Sequence, residues 1–140
     1  MTPTIVNFAC ADERYAPELA TDHSIGWTLK ARLPFQEFEF YGGIYHPIPT
    51  GIKLQLPEGV GAALYPLTEL VATRGLTLAC GAQLLDPEDR SELKVLLLNL
   101  SEQQQAVRDG DPIARLVFFS AVEVGWDEVA SLPGQERGWR

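Results

Sequence analysis

Residues 84–100 read Leu84-Leu85-Asp86-Pro87-Glu88-Asp89-Arg90-Ser91-Glu92-Leu93-Lys94-Val95-Leu96-Leu97-Leu98-Asn99-Leu100. After a short polar link, residues 110–119 read Gly110-Asp111-Pro112-Ile113-Ala114-Arg115-Leu116-Val117-Phe118-Phe119. Asp86-Pro87 is a turn signal, because the Asp side chain bonds its own backbone and Pro presets φ. From Leu93 to Leu100 only Lys94 and Asn99 are polar, which predicts a strand covered on both faces. Ile113 to Phe119 is a second apolar run, interrupted only by Arg115.

Outward from this stretch the chain reads as short strands with turn signals. The 12 Gly and 10 Pro are spread along its length, as in an all-β domain. Phe38-Glu39-Phe40-Tyr41 alternates ahead of Gly42-Gly43, and Ile44-Tyr45-His46 follows, predicting two strands joined by a tight turn. Ile52, Leu54 and Leu56 alternate with Lys53 and Gln55, a half-buried strand closed by Pro57-Glu58-Gly59. A short helix is expected over residues 67–74, and a weaker one over 127–132. Composition turns polar from Gly125 onward, so a folded domain over residues 1–124 is expected to carry a C-terminal tail over 125–140.

The chain has 140 residues, 46% of them hydrophobic, enough for one domain with a real core. With 11 basic against 19 acidic residues its net charge is −8, which argues against a nucleic-acid surface. No apolar run approaches the roughly 18 residues of a membrane span. The first residues lack the basic start and long apolar centre of a signal peptide. Cys10 and Cys80 fall at no metal or redox spacing, so both are expected free, in a cytoplasmic setting. His23 and His46 are isolated and read as structural rather than metal-binding.

Ordered fragments of the chain together resemble the trimeric dUTPase family. Ser24-Ile25-Gly26-Trp27-Thr28-Leu29-Lys30-Ala31 is similar to its first motif, S-A-G-x-D-L-x-A. Pro49-Thr50-Gly51-Ile52 and Leu56-Pro57-Glu58-Gly59 resemble its P-T-G-I strand and P-E-G turn. Pro66-Leu67-Thr68-Glu69-Leu70-Val71-Ala72 falls where P-R-S-G-L-A is expected, and Arg74-Gly75-Leu76 continues it. Residues 84–99 resemble the third motif, which runs through I-D-x-D-Y-R-G-E, and residues 110–117 the fourth, G-D-R-I-A-Q-L-V. The resemblance implies an all-β, distorted jelly-roll-like β-barrel with one short helix, assembling as a homotrimer with sites between subunits. It also implies Mg2+ as the metal of any nucleotide chemistry. The dCTP deaminases share the fold, and Asp86-Pro87 resembles their I-D-P-G. Their catalytic Glu would fall at Leu96, where no carboxylate exists.

Hydrolysis of a nucleoside triphosphate needs a carboxylate to activate water, and a metal with cationic or amide donors to absorb charge. Asp86 stands where the resemblance puts the water-activating Asp, and catalyst and plain turn residue are both open readings. The other positions depart from the pattern. Thr28 replaces the first-motif Asp, Leu67 the phosphate-binding Arg, Glu69 a Gly, Asp89 the sugar-stacking Tyr and Pro112 an Arg. Thr68 keeps a hydroxyl in place of the phosphate-binding Ser, or caps the helix. Cys80 and Gln83 stand near the Asn and Gly that frame uracil. Gln83 either meets a different base or is a surface-turn residue. Arg115 replaces Gln and either clamps a phosphate or pairs with Glu69 or with an acidic residue across a subunit contact. The Gly-rich fifth motif is reduced to Arg137-Gly138.

The expectation is a degenerate, dUTPase-like trimer acting as a structural or interaction protein, for example a viral accessory or virion-associated particle component. The tail, with Trp126 and Trp139, is its expected contact with a protein partner. The alternatives are a nucleotide-binding module and an active pyrophosphatase using Asp86.

Overall fold

The computed structural model describes residues 2–135. Eleven strands and one α-helix follow in order. They are β1 (Asn7–Cys10), β2 (Trp27–Lys30), β3 (Glu37–Phe40), β4 (Tyr45–Pro49), β5 (Ile52–Gln55) and β6 (Val60–Tyr65). Then come α1 (Thr68–Arg74), β7 (Leu76–Leu78), β8 (Gln83–Leu84), β9 (Lys94–Asn99), β10 (Gln105–Arg108) and β11 (Pro112–Ser120). All pairs are antiparallel, in sheets ordered β2-β11-β6-β8, β4-β9-β7, β1-β5 and β10-β3. The sheets do not close into one continuous barrel. They wrap a single core in the jelly-roll-like manner expected.

The core follows from strand periodicity. In β5, Ile52 and Leu54 are buried while Lys53 and Gln55 face out. In β9, Val95, Leu97 and Asn99 are buried and Leu96 and Leu98 are half-buried, so both faces are covered, though unequally. A register shift between Pro112 and Ala114 lets β11 bury two consecutive residues, Ile113 and Ala114.

The turn at Gly42-Gly43 forms, but its flanking strands do not pair with each other. β3 pairs with β10 and β4 with β9. The fully buried Asn99 accounts for this, because its Nδ2 donates to the Phe40 carbonyl at 3.1 Å. Its main chain meanwhile bonds Gly43 and Ile44. A Cβ on Gly42 would collide with the Ser101 carbonyl, which fixes glycine there.

The helix ends as the sequence suggests, on Gly75 in the left-handed region with φ 66°. Its start differs. Leu67 occupies the N-cap position with no side-chain bond, and Thr68 is the first helical residue, so the expected Thr68 cap is corrected. The expected second helix over 127–132 does not form, and residues 121–130 carry no regular structure. These six residues are all exposed, so Val129, Ala130 and Leu132 pack against nothing that could offset the cost of helix nucleation. No helix among the described residues is long and apolar enough to cross a membrane.

Candidate functional site

The loop after β8 is built by its own side chains. Asp86 Oδ1 accepts the Glu88 N–H at 2.9 Å, and the Asp86 carbonyl accepts the Asp89 N–H at 3.1 Å. Asp89 Oδ1 takes the N–H and hydroxyl of Ser91, which hold its carboxyl below the usual range. Arg90 donates back to the Pro87 carbonyl. Asp86 therefore caps this turn, and its side chain is exposed.

The loop is anchored at its far end by Glu92. Both carboxylate oxygens receive the Arg32 guanidinium, at 2.7 and 2.6 Å, and Oε2 also takes the Gly51 N–H at 2.6 Å. Arg32 first, then the Gly51 N–H, holds the Glu92 carboxyl below its ordinary value against the opposing effect of burial. A second anchor lies at the turn between β10 and β11. Asp109 Oδ1 accepts the Tyr15 hydroxyl at 2.7 Å and the Leu33 N–H at 2.9 Å. Burial pushes the Asp109 carboxyl up, but these bonds and the charges of Arg14 and Arg32 leave it lowered. Burial, with Asp109 beside it, raises Tyr15. Residue reasoning singled out neither anchor. The available signal was the match of Arg90-Ser91-Glu92 to R-G-E, one of whose residues is structural here.

Strand register decides which candidates meet. Tyr65 of β6 lies opposite Arg115 of β11, and Arg115 lies opposite Thr28 of β2. On the other side of β6, Leu64 faces Gln83. The chain then leaves β6 through Leu67, Thr68 and Glu69. Arg115, Thr28 and Tyr65 thus share one sheet face near the start of α1, while Gln83, opposite the buried Leu64, lies on the other face and turns toward β9. Asp86 does not join them. The Leu85 N–H bonds the Ala62 carbonyl, so Asp86 continues toward Gly61, four residues back along β6 from Tyr65. At strand rise that is roughly 13 Å along the sheet.

The half-buried Arg115 makes no side-chain hydrogen bond or ion pair among the described residues, so the expected bridge to Glu69 is absent. Glu69 and Thr68 are exposed and Leu67 is half-buried, while Pro112 begins β11 opposite Lys30, facing out. Gln83 is neither a free surface residue nor an open donor. Its side-chain amide is bonded to the main chain of β9. Trp126 is 96% exposed, whereas Trp139 and Arg137-Gly138 lie outside the described residues.

No three His, Cys, Asp or Glu side chains converge as a metal site among the described residues. With Thr28 in place of a carboxylate, these residues do not fit a resident Mg2+.

The dUTPase family model matches residues 12–140. A deoxyuridine 5'-triphosphate nucleotidohydrolase of Rickettsia bellii is 36% identical over 122 residues, 87% of this chain and 81% of that protein. Among solved structures, a mutant dUTPase of Staphylococcus bacteriophage 80alpha with dUpNHpp aligns with a TM-score of 0.82 at 14% identity, covering 97% of this chain and 95% of that one. A mutant dUTPase from phage phi11 of S. aureus, described for its coordination of a structural Mg(II) ion, aligns at 0.80 and 13%, covering 94% and 100%. At such identities the structural likeness shows the fold alone.

Proposed function

The chain belongs to the dUTPase family, and from that premise we propose that it is a trimer of dUTPase fold that has lost ordinary dUTP hydrolysis and serves as a structural or interaction protein. The observation that carries this reading is the entry to α1. Leu67 offers phosphate nothing, and Glu69 beside it is an exposed carboxylate with no ion pair among the described residues. Each like-charge pair about 4 Å apart costs about 1 kcal/mol even at the dielectric of water, and a triphosphate brings several charges.

The apolar framework supports assembly. Ile5, Phe8, Trp27 and Phe119 line one groove, and each is exposed in the single chain. A second and third copy covering it would give the trimer that the resemblance implies. Beyond β11, Val122, Val124 and Trp126 recur at every second position and stand 84%, 67% and 96% exposed. That stripe, on a chain of net charge −8, suits a protein partner better than a polyanion. The location that goes with this reading is the cytoplasm, or the particle if the source is viral.

One observation favours a second reading. Arg115, unpaired beside Thr28 and Tyr65, is free to clamp a phosphate, with Asp86 of another copy as base and Mg2+ brought by the nucleotide. Thr68 and Gln83 would complete such a site. Calorimetric titration with dUTP and Mg2+ separates the two. No saturable heat is expected; tight binding lost in Arg115→Ala would replace the structural reading with a nucleotide-binding one.

A further inference from the structure

A seam between β8 and β9 is filled by a side chain. The ladder between β7 and β9 runs through Leu78 and Leu97 and ends with the Ala79 N–H on the Leu96 carbonyl at 2.8 Å. A turn with Gly81 at φ 76° then carries the chain away, and Gln83 and Leu84 pair instead with Leu64 and Ala63 of β6. In an antiparallel strand the N–H and C=O of one residue point to the same side. Leu96 and Lys94 therefore turn theirs toward the edge that β7 has just left, and among the described residues no strand follows β7 there. Gln83 reaches back across this gap. Its Oε1 accepts the Leu96 N–H at 3.2 Å, and its Nε2 donates to the Lys94 carbonyl at 2.8 Å. One primary amide thus makes the donor and acceptor bonds that a neighbouring strand would have made.

We propose that Gln83 is an internal plug in a base slot, in which the edge of β9 at Lys94 and Leu96 is shaped for the adjacent donor and acceptor of a pyrimidine ring and is held closed by the Gln83 amide. The ligand class rests on the family reading above; the plug rests on the two bonds. A ring edge with N–H beside C=O, or amino group beside ring nitrogen, presents the same pattern as the amide, so ring and amide compete for the same two backbone groups. The amide is tethered a few bonds from its site and competes at high effective concentration. A free base must displace both of these bonds, so it is at a disadvantage unless Gln83 swings out. The site is thereby altered at its base end as well as at its phosphate end.

The test uses the full chain, labelled for amide NMR, as wild type, Gln83→Gly and Gln83→Asn. The Asn side chain is one methylene shorter and cannot span both backbone groups. Deoxyuridine and deoxycytidine are the probes, since they carry no phosphate. In the wild type the Leu96 amide should exchange slowly and stay unshifted by either nucleoside. In both variants it should exchange faster and shift saturably with at least one nucleoside, a gain in affinity of roughly tenfold or more. Should the Gly variant lose its dispersed spectrum, the Asn variant decides. Nucleoside binding to the wild type that the substitutions leave unchanged would overturn the plug. So would a freed Leu96 amide in the variants that responds to neither probe. Turnover of dUTP would overturn the loss of hydrolysis proposed above, whereas only this phosphate-free response decides the plug.

Discussion

Single residues carry the reading of this site, and they were not equally legible. The departures Leu67 and Glu69 could be read directly, because each replaces a motif residue with one of different charge or polarity at a matched position. Gln83 could not be read, because its role depends on where the edge of β9 lies, which only the folded chain fixes. The same holds for Glu92, whose partners Arg32 and Gly51 are distant in sequence. Glu92 and Asp109 both titrate below their ordinary values when folded. The unfolded chain therefore binds more protons than the folded one in acid. Their stabilisation is complete above the unfolded carboxyl values, about pH 4, and is lost as the pH falls through the folded ones. Glu92→Gln keeps the size of the side chain but breaks the charged pair. At pH 7 it should lower stability by about 1–3 kcal/mol, discounted toward the low end because Arg32 is 37% exposed. It should also flatten the acid limb of a urea-denaturation series. An acid limb as steep as that of the wild type would show that the pair does not anchor the loop.

At the scale of elements, alternation placed β5, and nearly unbroken apolar runs placed β9 and β11, since these signals are local. The partner of each strand was less legible. Gly42-Gly43 promised a hairpin, but Asn99 claims the Phe40 carbonyl and sends the two strands to different sheets. The helix expected over 127–132 failed because nothing packs on it, and residues 121–135 are exposed throughout. A segment without described packing adds little to the fold. Deleting residues 125–140 is therefore expected to leave the light-scattering mass at three times that of the shortened chain. A deletion that leaves only monomer would mean that the tail, rather than the apolar groove, holds the assembly.

For the whole molecule, the chain keeps the fold of the dUTPase family, while several positions depart from the family's motifs. Arg115 is the cation opposite Tyr65 at this sheet end, Lys30 lies two residues along β2 from Thr28 and is paired with Glu18, and Asp86 lies about four residues away along β6. The sequence could show the framework because strand and turn chemistry is local. It could not show whether Asp86 and Arg115 meet, because that depends on register and on a second copy. Pyrophosphate release from dUTP with Mg2+ tests the central claim most directly, with Asp86→Ala beside the wild type. The account predicts no release above the buffer background from either protein. Steady turnover by the wild type that Asp86→Ala abolishes would contradict it, and would make Asp86 a catalyst.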